Sequence, residues 1–230
     1  MSLVLSLIFS AVNLMADTTA TPLSFPANGI RTVMVSVPKG RISIASSKTQ
    51  KDISVNVIES NKIYKDNKKC IKSIGIENTQ LNVKVTSENI LFEKAECNYD
   101  VMIVVPGAQS FDMDISSGSA LIMVKNVNGN INLKTATGSV SVDGDVIKNI
   151  SAKSATGAMT FSYKTCSGRA DLDLMSATGK MTLNLPAVCK IRVDYKSATG
   201  KLFNALGETE DYQVLINAKS ASGDFTIGKY

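Results

Sequence analysis

The chain has no histidine and no tryptophan, and each gap narrows what it can do. Without imidazole there is no Ser–His or Cys–His nucleophilic pair, and zinc loses a customary ligand. The four cysteines, Cys70, Cys97, Cys166 and Cys189, contain no C-x-x-C pair that could make up the loss. Aromatics are only 6% of the residues, so there are few ring platforms on which sugars or single-stranded nucleic acid would stack, and no nucleic-acid partner is expected. Carboxylate-based glycan chemistry survives these exclusions. Its candidate pairs, Asp112 with Asp114 and Asp171 with Asp173, read as solvated groups on one strand face. Asp143-Gly144-Asp145 reads as a turn rather than half a calcium loop. No catalytic residue, cofactor or metal ligand is assigned, and the expectation is a protein that is not an enzyme.

Helix-type periodicity is scarce. What is present is strand after strand: Val33-Met34-Val35-Ser36-Val37 and Tyr99-Asp100-Val101-Met102-Ile103-Val104-Val105 alternate with period two. Leu3 to Met15 is uncharged and apolar, of the length of a signal-peptide core, and Ala16 and Ala20 are small enough to mark cleavage. Residues 1–20 therefore read as a signal peptide, although the first basic residue is Arg31. The stretch is too short for a membrane span, and none is expected in the mature protein. An even cysteine count in an exported chain favours disulfides. The net charge is +5, and the cluster Lys62, Lys65, Lys68, Lys69 and Lys72 reads as a solvated guard beside an edge strand.

A repeat dominates the second half. Ile115-Ser116-Ser117-Gly118 is followed by Thr135-Ala136-Thr137-Gly138, Ser154-Ala155-Thr156-Gly157, Ser176-Ala177-Thr178-Gly179, Ser197-Ala198-Thr199-Gly200 and Ser220-Ala221-Ser222-Gly223. Successive glycines lie 20, 19, 22, 21 and 23 residues apart. Aligning on glycine puts Ala120, Val140, Met159, Met181, Leu202 and Phe225 in one column, and Met113, Leu133, Ala152, Leu174, Tyr195 and Ala218 in another. Each repeat is thus a strand, a sharp turn and a second strand, with an apolar face that stacked copies would bury. The predicted architecture is all-β: a parallel β-solenoid, or β-helix, of about six coils with a 19–23 residue period over 106–230. An irregular β-rich N-terminal region over 21–105 precedes it, forming early coils and a cap. The motif residues are assigned to shape: glycine for a positive φ at the corner, alanine for close approach, hydroxyls to bridge neighbouring turns. Tyr195 is expected between Leu174 and Ala218.

Cys166 and Cys189 lie nine and ten residues after their motif glycines, which places them alike on adjacent coils and predicts a disulfide. Cys70 and Cys97 then pair by elimination. Tyr230 ends the sequence seven residues after Gly223, so either Lys229 and Tyr230 guard the last coil or another molecule covers it, self-association included. One outward column is notable. Four residues before glycine stand Asp114, Lys134, Lys153, Met175, Lys196 and Lys219. The four lysines are balanced either by the neighbouring column of Asp112, Asn132, Ser151, Asp173, Asp194 and Asn217, or by an anionic polymer such as an acidic surface glycan.

Val105-Pro106-Gly107, Ser117-Gly118 and the successive Ser/Thr-Ala-Thr-Gly strands through Gly223 together resemble the bacterial putative-adhesin family with β-strand repeats, over roughly residues 30 to 230. The resemblance implies a β-solenoid and an adhesive role. The expected function is a non-catalytic cell-envelope or surface protein, periplasmic, displayed or secreted, that binds a glycan or envelope component. A polysaccharide-acting β-helix enzyme and a self-assembling structural protein are the alternatives.

Overall fold

The computed structural model describes residues 21–60, 70–87, 89–90, 93–94 and 97–230. The signal-peptide reading and Lys62 to Lys69 lie outside them. Among the described residues there is no helix. In chain order the strands are β1 (Leu23–Phe25), β2 (Thr32–Val37), β3 (Lys39–Ser47), β4 (Ile53–Glu59), β5 (Cys70–Glu77), β6 (Gln80–Ser87), β7 (Asn89–Ile90), β8 (Glu93–Lys94), β9 (Asn98–Pro106) and β10 (Asp112–Ser117). The repeat region supplies β11 (Leu121–Lys125), β12 (Ile131–Thr135), β13 (Val140–Val146), β14 (Ile150–Ser154), β15 (Met159–Thr165), β16 (Ala170–Ser176), β17 (Met181–Leu185), β18 (Ile191–Ser197), β19 (Leu202–Asn204), β20 (Val214–Ser220) and β21 (Phe225–Lys229).

These strands form two large sheets that share one core. The first runs β1-β4-β9-β3-β11-β13-β15-β17-β21-β19, the second β18-β20-β16-β14-β12-β10-β2-β6-β5, and most neighbours are parallel. Consecutive strands of the repeat fall alternately in the two sheets, an arrangement consistent with a β-helix-like fold. Period-two alternation explains the core: in β16 Ala170, Leu172, Leu174 and Ser176 are buried while Asp171, Asp173 and Met175 are exposed. The N-terminal strands belong to the same sheets, since β2 and β3 pair with β10 and β11 in register.

Chain order and spatial order differ at both ends. β20 and β21, last in sequence, lie between β16/β17 and β18/β19. Ala218 therefore separates Leu174 from Tyr195, correcting the expected order. The physical reason is in the inward column four after glycine, where Val142, Phe161, Leu183 and Ile227 are buried but the next repeat has Asn204. Placing that strand at the edge buries Ile227 and frees Asn204, whose amide donates to the Gly207 carbonyl and whose oxygen accepts from the Leu206 N–H. At the other end β2 and β3 lie between β6/β9 and β10/β11.

The C-terminus is accordingly not an open end: the Tyr230 N–H donates to the Leu185 carbonyl. The exposed edge is β18/β19, and residues 205–213 fold back onto it, with the Thr209 N–H on the Ile191 carbonyl and a Glu208 carboxylate oxygen 3.4 Å from the Val193 N–H. At the opposite end the edges are β1 and β5, antiparallel to their neighbours. Lys72, the described member of the basic cluster, lies on edge strand β5 with its ammonium 5.4 Å from the Tyr99 ring centre.

Two disulfides close the molecule. Cys70–Cys97 joins β5 to the start of β9, and Cys166–Cys189 joins the segments that follow β15 and β17; both have Cα atoms 5.7 Å apart.

The corner motif differs from expectation in two ways. None of Gly118, Gly138, Gly157, Gly179, Gly200 or Gly223 has a positive φ. They are glycine because the stack is too close for a side chain: a Cβ on Gly157 would lie under 3.0 Å from the Gly138 carbonyl, and Gly179, Gly223 and Gly200 continue the same series. The hydroxyl three residues earlier mainly holds its own turn. Thr135, Ser154, Ser176, Ser197 and Ser220 accept the N–H of their glycines at 2.6–3.0 Å. In the first copy Ser117 accepts the Ala120 N–H, and Ser117 is in register with Thr135. Ala120, not Gly118, is therefore the structural equivalent of the motif glycine, and the first copy shifts by two positions.

Candidate functional site: a lysine row beside a groove

Strands β12, β14, β16, β20 and β18 lie side by side in parallel register, so outward residues at one depth form a line across them. Lys134 pairs in register with Lys153, Lys153 with Met175, Met175 with Lys219, and Lys219 with Lys196. Beyond Lys134 the line continues to Ser116, which corrects the placing of Asp114 in this row. All four lysines and Met175 are exposed. Strand spacing of about 4.8 Å sets the interval between neighbours.

Two residues back along each strand runs a second line: Asp114, Asn132, Ser151, Asp173, Asn217, Asp194. Asp114, not Asp112, belongs to it. This line largely satisfies itself. The Asn132 amide donates to Asp114 at 3.2 Å, and the Asn217 amide donates to Asp173 at 3.1 Å. Asp112 Oδ1 accepts the Asn130 N–H. Three of the four carboxylates singled out in sequence, Asp112, Asp114 and Asp173, are thus tied to a neighbouring strand or the residue before it, which gives them a structural use.

Among the described residues only one of the four lysines has an acidic partner. Lys196 Nζ is 3.0 Å from Asp194 Oδ2, both side chains being more than half exposed, a pair whose contribution to stability is small. Among the described residues Lys134, Lys153 and Lys219 lie in no ion pair. Adjacent lysines at this spacing repel by about 1 kcal/mol in water-like dielectric, and the balance expected from the neighbouring column is present for Lys196 alone.

The row flanks a long groove of about 1090 Å³. It is lined by Lys134, Lys153, Met175 and Lys219, by the motif corner from Ser117 and Gly118 to Ser220 and Ala221, and, toward its β2/β6 end, by Ser36 to Pro38 and Val85 to Ser87. The β6 end had no signal in the sequence, because it depends on β6 pairing with β2 rather than with a strand of the repeat. On the other side of the row a smaller recess of about 340 Å³ surrounds Met175 and Asp173. Along the groove the exposed alanine and threonine of each motif present small side chains, while their backbone links the strands: the Ala155 carbonyl accepts from both Ala177 and Thr178. The result is a basic ledge crossing five strands.

Lys164 hydrogen-bonds Asp145 at 2.8 Å and holds its carboxyl below the usual range. Gly144 makes room for the Tyr163 ring, which gives the Asp-Gly-Asp segment a packing reason. The Tyr163 hydroxyl is buried without a hydrogen-bond partner among the described residues, and burial pushes its pKa up. Among the described residues no group of three or more Cys, Asp or Glu is placed to hold a metal ion, and no helix is long and apolar enough to cross a membrane.

No family model matches the sequence, and no curated protein matches it significantly. Two solved structures resemble it in outline. A putative cell adhesion protein from Clostridium sporogenes ATCC 15579 is 11% identical, over 91% of this chain and 100% of that one, with a TM-score of 0.47. A putative adhesin from Bacteroides fragilis NCTC 9343 is 9% identical, over 91% and 96%, with a TM-score of 0.32.

Proposed function

We propose that this protein is an exported, non-catalytic repeat protein of the cell envelope or surface, which binds an extended anionic polymer, an acidic surface glycan, along its lysine row. Its two sheets pair off into eight stacked coils of a β-solenoid, from β6/β9 to β18/β19. The observation that carries the reading is the lysine line itself: Lys134, Lys153 and Lys219 stand in one line along a groove with no ion pair among the described residues, and the nearby carboxylates of Asp114 and Asp173 accept from amides instead. A row that served only the fold would be neutralised by residues already within reach. Two disulfides support maturation in an oxidising compartment, and the absence of histidine leaves the groove without a nucleophile–base pair.

The test is binding of the protein with both disulfides formed to acidic and neutral glycans at low ionic strength. Acidic glycans should bind and neutral ones should not, and replacing Lys134, Lys153, Lys196 and Lys219 by glutamine should abolish binding. Binding that survives this replacement would remove the proposal.

A further inference from the structure

The lysine row is not uniform, and its pattern specifies the ligand further. This step rests on the reading above, that the row holds an anionic polymer. On β14 the two outward residues are Ser151 and Lys153, a net single positive charge. On β20 the matching positions are Asn217 and Lys219, again a single positive charge, with Leu215 two residues further back. Between them β16 carries Asp173 and Met175 at these positions, a negative charge beside an apolar side chain, and a second carboxylate, Asp171, exposed two residues further back. The order across three adjacent strands is positive, negative, positive.

An extended polymer lying across the strands meets these positions in turn, and a pyranose unit is about as long as one strand spacing. A carboxylate over Met175 would lose water without gaining a cation and would face Asp173 on the same strand. An uncharged unit there suffers neither penalty. Its C–H face covers Met175, which is 42% exposed and polarisable, and its hydroxyls donate to Asp173, whose Oδ1 already accepts from Asn217 at 3.1 Å. The recess of about 340 Å³ around these residues supplies the space. We infer that the ligand is an alternating polysaccharide, an acidic sugar in turn with an uncharged one, whose carboxylates reach Lys153 and Lys219 while the uncharged unit sits on Met175 and Asp173.

The experiment compares hyaluronate oligosaccharides, in which an acidic sugar alternates with an uncharged N-acetylated one, with polygalacturonate oligosaccharides of equal length, charged at every unit. Titration calorimetry of the protein with intact disulfides reads both at low salt. The hyaluronate series should bind about tenfold more tightly, despite carrying half the charge, and Met175→Lys should shrink or reverse that preference. Equal or tighter binding of polygalacturonate by the unaltered protein would overturn the inference while leaving the lysine row as an anion site. Binding of neither polymer would overturn both. The decisive comparison uses the unaltered protein, so it does not depend on how the variant folds.

Discussion

A methyl group added at Gly157 would press on the Gly138 backbone carbonyl, and nothing at that point can swing aside. Gly157→Ala should therefore destabilise the protein by about 3 kcal/mol, in the range of overpacked sites, seen as a lowered urea midpoint. Gly75 has open space where a Cβ would go and no positive φ, so Gly75→Ala should be neutral or mildly stabilising. The same logic of crowding explains Tyr163, whose ring fits over Gly144 but whose hydroxyl is left unpaired. Tyr163→Phe should leave the protein as stable or raise it by about 1 kcal/mol. Its folded pKa lies above the unfolded value, so from about pH 10 upward the unfolded chain ionises while the folded one keeps its proton, and stability falls as pH rises. The phenylalanine variant should show a shallower loss in alkaline melts; a residual slope remains from Tyr99, which burial shifts the same way.

Strand pairs were the most legible level in the sequence. Period-two alternation located β12 to β18 because each has one inward face, and the spacing of Cys166 and Cys189 from their glycines gave a disulfide because nearly equal offsets, nine and ten residues, on adjacent coils bring the thiols together. The order of the strands was not legible from the motif. Near-identical corners offer the same backbone ladder to any neighbour, so Ser176 pairs as readily in principle with Ser197 as with Ser220. Asn204 in an apolar column was the available signal, and its meaning depended on an edge that exists only in three dimensions. Cysteine pairs test the order directly. Met175→Cys with Lys219→Cys should oxidise to a disulfide, since these residues are register partners. Met175→Cys with Lys196→Cys should stay reduced, being separated by β20.

Over the whole molecule, two features follow from that order. The exposed end is β18/β19, where residues 205–213 and the Glu208 carboxylate cover part of the edge, as edge strands of soluble proteins require. The lysine line is then a ledge of five consecutive strands ending at Lys196, the one member of the row that has an acidic partner among the described residues. The sequence displayed the lysines but not their spatial succession, nor the β6 residues that line one end of the groove, because both depend on pairings between distant segments. If the ledge binds a polyanion by ion pairing, each engaged lysine releases counterions, and the salt dependence of affinity counts the lysines in contact. The most direct measurement is the slope of log affinity against log salt for an acidic glycan, with Lys153 and Lys219 replaced by glutamine one after the other. The account predicts a slope that becomes shallower by roughly one for each lysine removed, whereas an unchanged slope across the two replacements would contradict it.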